Sequence, residues 1–211
     1  MEPLNTVDED DFTKREILVV LEKFDPSKAP RDDGLNSGIL LQTLKCFPNL
    51  FTEIYNMCLR RGYFPVEWKR SVIIPIVKPG KERSTKTTKY RPISLLNVGG
   101  KVLEKLLIDR IKHHIFSRIL LNGNQYGFLP QKSTVGGAMA VKDFPTEYLQ
   151  RMNYVIMVSL DVRWPSILSN LHELRCPKTL YILTQNYFRD RVAIYYANTY
   201  KAERKVSMGC P

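Results

Sequence analysis

The sequence predicts an α+β fold, in which a basic part rich in helices and loops precedes a part that contains a sheet. Apolar residues recur at helical spacing in several windows, and two shorter runs, 71–77 and 154–162, have the nearly continuous apolar pattern of strands. The 211 residues are 44% hydrophobic and 25% charged. These proportions are typical of a globular chain with a substantial core, and they exclude a disordered or low-complexity chain.

The predicted helices follow from apolar spacing and from end signals. Thr13 and Glu16 form a capping-box pattern before the first apolar helix, and the segment 25–30, which contains two prolines, ends it. Gly62 is expected to cap the helix before it. The further predicted helices cover 35–45, 48–61, 98–116, 165–175 and 178–188, and a helix over 138–151 is expected to be interrupted at Pro145.

The predicted strands separate polar segments. The run 71–77 is a strand that Pro75 places at an edge or a bulge, and the polar, basic residues 78–91 after it are an exposed loop. Residues 121–137, with four glycines, are irregular. The run 154–162 predicts a strand buried on both faces, with Asp161 near its end. Two short strands, around 191–196 and 199–206, complete the pattern.

Several classes of protein do not fit this sequence. It has no apolar run of about 18 residues, so no membrane span is expected, and the acidic N-terminus does not resemble a signal peptide. We therefore expect an intracellular protein, nuclear or cytoplasmic and not secreted. The cysteines form no C-x-x-C pair and have no histidine at ligand spacing, which argues against a disulfide framework and a zinc site. They are Cys46, Cys58, Cys176 and Cys210.

The charge is unevenly distributed. Residues 1–25 carry eight acidic and three basic side chains, a net charge of −5. Because the whole chain has a net charge of +11, the remaining residues carry +16. The window 60–91 alone has ten basic residues against two acidic ones. Such density suggests a polyanionic partner, of which nucleic acid is the commonest. A solvated basic loop without a partner is the alternative.

Asp161 is the candidate for metal chemistry. A carboxylate at the end of a buried strand has a fixed backbone and can hold Mg²⁺ in nucleotidyl-transfer enzymes, although a two-metal site needs at least one further carboxylate. Taken alone, the residue could equally be a helix N-cap or a salt-bridge partner.

Six sequence blocks, in order, resemble the reverse transcriptase of non-LTR retrotransposons, the LINE-like class, and are closest to type-1 retrotransposable elements. They are Lys28–Leu35 (KAPRDDGL), Trp68–Lys81 with its KPGK end, Tyr90–Lys105 (YRPISLLNVGGKVLEK), Gln125–Phe128 with Ser133 and Thr134, Ser159–Val162 (SLDV), and Gly209–Pro211 (GCP). The resemblance covers most of the chain.

The resemblance implies a right-hand polymerase fragment that extends a DNA 3′-OH with dNTPs on an RNA template, using Mg²⁺. The implied domains are an acidic leader or linker helix (1–25), the fingers (26–137) and a partial palm (138–211). Asp161 would be the catalytic, metal-binding carboxylate, helped by the Val162 carbonyl. The implied substrate-binding residues are Arg91 at the nucleotide triphosphate, Lys78 and Lys81 at the nucleic-acid backbone, and Gln125, Gly127 and Phe128 at the template. Arg91 could instead pair with an acid, Phe128 could be a core residue, and the lysines could be merely solvated.

The chain also departs from the family pattern. Trp164 follows Arg163 where relatives have GAFDNVW, and residues 1–211 do not contain the ADD motif that supplies the other metal ligands. The expectation is therefore a partial copy, or a gene-model artefact, that has no polymerase activity by itself. The alternative functions are a non-enzymatic nucleic-acid-binding remnant of the domain and an unfolded remnant.

Overall fold

The computed structural model describes residues 7–27, 33–80, 82, 86–118, 123–127, 129, 131–149, 154, 156, 158, 167–197 and 200–206. The helices are α1 (Lys14–Glu22), α2 (Ser37–Cys46), α3 (Pro48–Arg60), α4 (Val98–Arg118), α5 (Thr134–Leu149), α6 (Ile167–Glu173) and α7 (Lys178–Phe188). The strands are β1 (Arg70–Val77), β2 (Tyr90–Leu96), β3 (Arg191–Ala197) and β4 (Tyr200–Val206). The α+β prediction is confirmed.

The chain divides into two compact units. The first consists of Met1–His114 and Trp164–Pro211 and contains the sheet, and the second consists of Ile115–Arg163 and contains α5. No helix among the described residues is long and apolar enough to cross a membrane.

The first unit has one main hydrophobic core, to which α1, α2, α3, α4 and α7 all contribute. Its fully buried side chains include Ile17, Tyr55, Leu59, Leu103 and Leu180. The capping box of α1 is confirmed, because the Thr13 hydroxyl accepts the Glu16 N–H at 3.2 Å and the Glu16 carboxylate accepts the Thr13 N–H at 2.8 Å. Gly62 ends α3 with a φ of +57°, which is the left-handed conformation expected of a capping glycine.

Residues 7–13, the N-terminal strap, are tied to three helices. The Phe12 N–H donates to Asn56 Oδ1 at 2.7 Å, and the Phe12 carbonyl accepts from Asn56 Nδ2 at 3.1 Å, so one buried amide of α3 satisfies both backbone groups. The Glu9 N–H donates to the Thr179 hydroxyl of α7 at 2.9 Å. Arg110 of α4 donates to the Glu9 carboxylate at 2.7 Å.

The four strands form one sheet in the order β2-β1-β3-β4. β1 is antiparallel to β2 and parallel to β3, and β3 and β4 form an antiparallel hairpin. The sheet therefore joins strands of the predicted fingers to strands of the predicted partial palm. Pro75 lies opposite Pro92, and the pairing of β1 with β3 covers only Arg70–Val72, so at Pro75 the strand has a paired neighbour on one side only. β1 as a whole is an inner strand of the described sheet, so the edge position predicted from Pro75 holds only for the second half of the strand.

Three sequence predictions are wrong in part. The predicted loop 78–91 ends early, because Tyr90 and Arg91 already belong to β2, a strand that the sequence pattern did not indicate. Pro92 lies opposite Pro75 in the pairing with β1, so the two residues without a backbone N–H share one position of the ladder. Pro145 does not interrupt α5, which continues to Leu149, and the Thr146 hydroxyl donates to the Lys142 carbonyl at 2.9 Å inside the helix.

The third error concerns the strand expected over 154–162, most of which lies outside the described residues. The three residues described there, Tyr154, Ile156 and Val158, have no strand assignment and are exposed, Ile156 to 80%.

Candidate nucleic-acid interface

The sheet has two different faces, because side chains alternate along each strand. On the inner face Ser71, Ile73, Leu96 and Ala193 are buried. The opposite face, called the outer face, is defined by the register of the four strands. It comprises Arg70, Val72, Ile74 and Ile76 of β1, Arg91, Ile93 and Leu95 of β2, Val192, Ile194 and Tyr196 of β3, and Lys201, Glu203 and Lys205 of β4.

Much of the apolar surface of the outer face is exposed to solvent. Ile74, Ile76 and Ile93 lie on the part of the β1–β2 hairpin that extends beyond β3, and each is more than 40% exposed. Tyr196 of β3 is 51% exposed. A sheet face with solvent-exposed isoleucines and an aromatic ring is suited to contact with flat, partly apolar groups.

The outer face is also basic. It carries four cations, Arg70, Arg91, Lys201 and Lys205, against the single carboxylate of Glu203. Glu203 accepts hydrogen bonds from Lys201, at 3.1 Å, and from Arg70, and these bonds lower the pKa of its carboxyl group. Arg91 and Lys205 are paired through their backbones in the sheet, but neither the Arg91 guanidinium nor the Lys205 ammonium has a hydrogen bond or ion pair with a residue in the described part of the chain. Their charges are therefore available to a bound anion.

Lys78 lies at the tip of the β1–β2 hairpin, at the same end as Arg91. Its N–H donates to the Lys89 carbonyl at 2.8 Å, and its Nζ donates to the Thr88 carbonyl at 2.9 Å. The Lys89 ammonium lies 4.9 Å from the centre of the Tyr90 ring. The predicted pair Arg91 and Lys78 is thus brought together on one hairpin, whereas Lys81 lies outside the described residues.

Not every basic residue of the window 60–91 belongs to this surface. The Arg60 guanidinium donates to the carboxylates of Asp11, at 2.7 Å, and Glu53, at 2.9 Å. Lys69 is only 3% exposed, and burial lowers the pKa of its ammonium group. The basic residues of this window therefore do not form one surface. Arg60 pairs with the strap, Lys69 is buried, and Lys78 and Arg91 lie on the hairpin.

Two predicted template-facing residues lie in the second unit. The Gln125 side-chain amide donates to the Gly127 carbonyl at 3.1 Å, so the two residues form one local turn. The Lys132 ammonium lies 4.7 Å from the centre of the Tyr126 ring. A Cβ atom at Gly137 would come within 3.2 Å of the Tyr126 side chain. Because glycine has no side chain, α5 can pack closely on the Tyr126 ring at this position. Phe128 lies outside the described residues.

The predicted metal site cannot be assembled from the residues that the structure describes. Asp161 and Val162 lie outside them, and no three His, Cys, Asp or Glu side chains among the described residues could hold a metal ion. The described charges instead form a surface for anions. Four members of it, Lys201, Lys205, Tyr196 and Arg70, were not predicted as site residues, although the alternating charges of β4 were a signal for them.

An exposed sheet face with free cations and an aromatic side chain is characteristic of proteins that bind polynucleotides. Residues 76–211 match the family described as reverse transcriptase (RNA-dependent DNA polymerase), and the chain belongs to this family. The resemblance predicted from the six sequence blocks is confirmed.

The relatives of this chain come from mobile elements of flies. It is 27% identical over 205 residues to the putative 115 kDa protein in type-1 retrotransposable element R1DM of Drosophila melanogaster, a match that covers 93% of the chain and 19% of the relative. It is 29% identical to the RNA-directed DNA polymerase from mobile element jockey of the same species, covering 94% of the chain and 22% of the relative. The corresponding jockey polymerase of Drosophila funebris is 31% identical, with coverages of 86% and 20%. The chain thus spans about a fifth of the length of these relatives.

Proposed function

We propose that this chain is the fingers and part of the palm of a retrotransposon RNA-directed DNA polymerase, and that its outer face binds the template and primer strands. The observation that carries this proposal is the guanidinium of Arg91, which has no ion pair among the described residues and lies next to exposed isoleucines on the outer face. A guanidinium fork matches the oxygens of a phosphate group, so in this proposal Arg91 holds a backbone phosphate of the bound strand when no nucleotide is present, and the resemblance implies the same kind of contact with the triphosphate of an incoming nucleotide.

The other basic residues of the outer face, together with Lys78 at the hairpin tip, have a supporting role in this proposal. Lys78, Lys201 and Lys205 surround the apolar surface and neutralise backbone phosphates, while Ile74, Ile76 and Tyr196 contact sugars and base faces. Lys81, Gln125, Gly127 and Phe128 keep the roles implied by the resemblance. When bound, Mg²⁺ would neutralise the triphosphate and activate the primer hydroxyl, and Asp161 with Val162 would hold it.

The binding proposal is tested by fluorescence anisotropy with a labelled RNA–DNA duplex and with single-stranded RNA, between about 50 mM and about 200 mM salt. The matched variants are Arg91→Ala and Arg15→Ala, since Arg15 is an exposed arginine of α1 and is not part of the sheet. Arg91→Ala should weaken binding and reduce the slope of log K against log salt by about 0.7–0.9, the contribution of one phosphate contact. Arg15→Ala should change neither quantity. Equal effects of the two variants would contradict the assignment.

A second function, nucleic-acid binding without catalysis, is favoured by the direct junction of Arg163 and Trp164, which omits the GAFDNVW segment of motif A. Primer extension by the 211-residue chain on an RNA template separates the two functions, with Asp161→Ala as the control. We expect binding without incorporation above that control. Incorporation that Asp161→Ala abolishes would refute the second function.

A further inference from the structure

The outer face contains a cavity at the root of the β1–β2 hairpin, where the hairpin joins the rest of the first unit. Its volume is about 210 Å³. The cavity, called the hairpin-root pocket, is lined by Asp33, Glu67, Arg70, Val72, Leu95, Asn97 and Ile194. None of the residues predicted to act in catalysis or in substrate binding belongs to it.

The floor of the hairpin-root pocket is apolar. Val72, Leu95 and Ile194 come from the three neighbouring strands β1, β2 and β3 and lie side by side in the register of the sheet. Ile194 is only 3% exposed, and Val72 and Leu95 are partly buried, so the floor is a small aliphatic surface on which part of one face of a planar ring can lie. The pocket is therefore suited to a heteroaromatic ring better than to a branched or chain-like group.

Most polar groups around the pocket already have partners. Arg70 pairs with Glu203, the Asn97 Oδ1 accepts the Gly100 N–H at 2.8 Å, and Asp33 Oδ1 accepts the Leu35 N–H at 3.0 Å. The Glu67 carboxylate differs from them, because it has no hydrogen bond or ion pair with any residue that the structure describes. Glu67 is exposed, so its carboxylate is hydrated and can exchange water for a ligand group, and it accepts hydrogen bonds only.

These features select the part of a polynucleotide that could enter the pocket. A carboxylate repels a phosphate group but accepts a hydrogen bond from the exocyclic amino group of a base, and pairing with the cytosine N4 amino group is the common case. Uracil has the same ring size, but it presents an acceptor oxygen at that position. Arg91 lies four residues from Leu95 along β2, which corresponds to about 13 Å. A strand with a phosphate on Arg91 is therefore close enough to place a base in the pocket.

We propose that the hairpin-root pocket holds one unstacked cytosine of the bound single strand, with its ring on the floor of Val72, Leu95 and Ile194 and its amino group donating to Glu67. The inference rests on the proposed function, because it takes the strand to lie on the outer face. It adds base selectivity to a surface whose other contacts, to phosphates, do not distinguish one sequence from another.

The test compares an oligocytidylate with an oligouridylate of the same length and label, by fluorescence anisotropy at low salt. The wild-type chain should bind the oligocytidylate about tenfold more tightly. Glu67→Gln keeps the size of the side chain but presents an amide N–H, which can donate to the uracil oxygen, so the preference should disappear or reverse. Glu67 is exposed, and a thermal melt by circular dichroism verifies that the variant is folded.

Arg91→Ala is the matched control, since the loss of a phosphate contact should weaken both oligomers by the same factor and leave their ratio unchanged. Equal binding of the two oligomers by the wild type, with normal salt dependence, would overturn the pocket assignment and leave the proposed function intact. A preference that survives in Glu67→Gln would also overturn it. No binding of either oligomer at low salt would refute the proposed function and the inference with it.

Discussion

Replacing Arg110 by alanine is expected to release the N-terminal strap from α4. The Arg110 side chain is only 15% exposed, and its guanidinium donates to the Glu9 carboxylate at 2.7 Å and to the Glu16 carboxylate at 2.8 Å. It also donates to the carbonyls of Asp10 and Asp11, at 3.3 and 3.1 Å, and lies 5.4 Å from the centre of the Phe12 ring. One side chain therefore holds most of the length of the strap.

The magnitude of the loss follows from the exposure of the two carboxylates. Removing one partner of a fully buried ion pair costs about 3–5 kcal/mol, whereas an exposed pair contributes only about 0.2–1 kcal/mol. Glu9 is 19% exposed and Glu16 is 36% exposed, so Arg110→Ala should lower the free energy of unfolding by about 2–3 kcal/mol. For a chain of this size, that loss corresponds to a decrease in Tm of roughly 4–12 °C.

The assay is urea unfolding followed by circular dichroism, with Lys105→Ala as the control. Lys105 lies on the same helix and pairs with Asp109 at 2.6 Å, but this pair is exposed, so its loss should cost about 0.5 kcal/mol or less. Equal losses of stability in the two variants would refute the argument that the burial of Arg110 determines its contribution.

The same variant has a predicted pH dependence. Burial raises the pKa of the Glu16 carboxyl, but the hydrogen bonds from Arg110 and Thr13 outweigh burial and leave that pKa below its usual range. A lowered pKa in the folded state stabilises the protein at neutral pH, and this stabilisation is lost as the pH falls through that value. The stability difference between wild type and Arg110→Ala should therefore shrink below about pH 4. A difference that stays constant down to acid pH would contradict this account.

Two further predictions concern backbone and thiol positions. Gly62→Ala should destabilise the protein by more than Gly34→Ala in a urea titration: both glycines have a positive φ, but only at Gly62 would the new Cβ meet another side chain, Ile182 Cγ2, at 2.4 Å. We expect the free energy of unfolding to fall by about 2–4 kcal/mol in Gly62→Ala and by about 1 kcal/mol in Gly34→Ala. Equal losses would show that the structure moves to accommodate the new methyl group. Burial raises the pKa of the Cys58 thiol to about 11, so at about pH 8 iodoacetamide should label exposed Cys46 well before Cys58, as measured by mass spectrometry of peptides. Equal labelling rates in the native chain would contradict the buried position of Cys58.

Local signals in the sequence were sufficient for most elements. The capping box at Thr13, the helices, the strand at 71–77 and the two short strands near the end of the chain all depend on neighbours within a few residues. The partner of a strand is not a local property, and here β1 pairs with β3, which follows it by more than a hundred residues. The pattern did not indicate β2 for a local reason, because Pro92 lies within it and polar, basic residues precede it. Ile156, in the run 154–162 that was expected to be a buried strand, is exposed.

The candidate site could be predicted only in part for the same reason. Arg91 and Lys78 were found from motifs, which are contiguous in sequence, and the register of β1 and β2 places them at one end of a hairpin. Lys205 and Glu67 have no motif, and they become site residues only when three strands and the turn before β1 meet on the outer face. The density of basic residues in the sequence indicates a polyanionic partner. It does not show that Arg60 is paired with a carboxylate whereas Arg91 has no ion pair among the described residues.

The acidic N-terminal segment helps to define where a polyanion can bind, because its carboxylates pair with some of the arginines and leave others exposed. Arg60 and Arg110 are two strong cations of the helical part, and the carboxylates of Glu9, Asp11 and Glu16 hold both of them. A phosphate group at Arg110 would have to displace a largely buried carboxylate, whereas the exposed pairs of Arg60 are easier to replace, and Arg91 on the outer face has no pair among the described residues to break. The acidic segment therefore makes Arg110, and to a smaller degree Arg60, less accessible to a polyanion. Exposed Arg15 remains on α1, so it is the apolar surface beside Arg91, and not positive charge alone, that distinguishes the outer face as the binding surface.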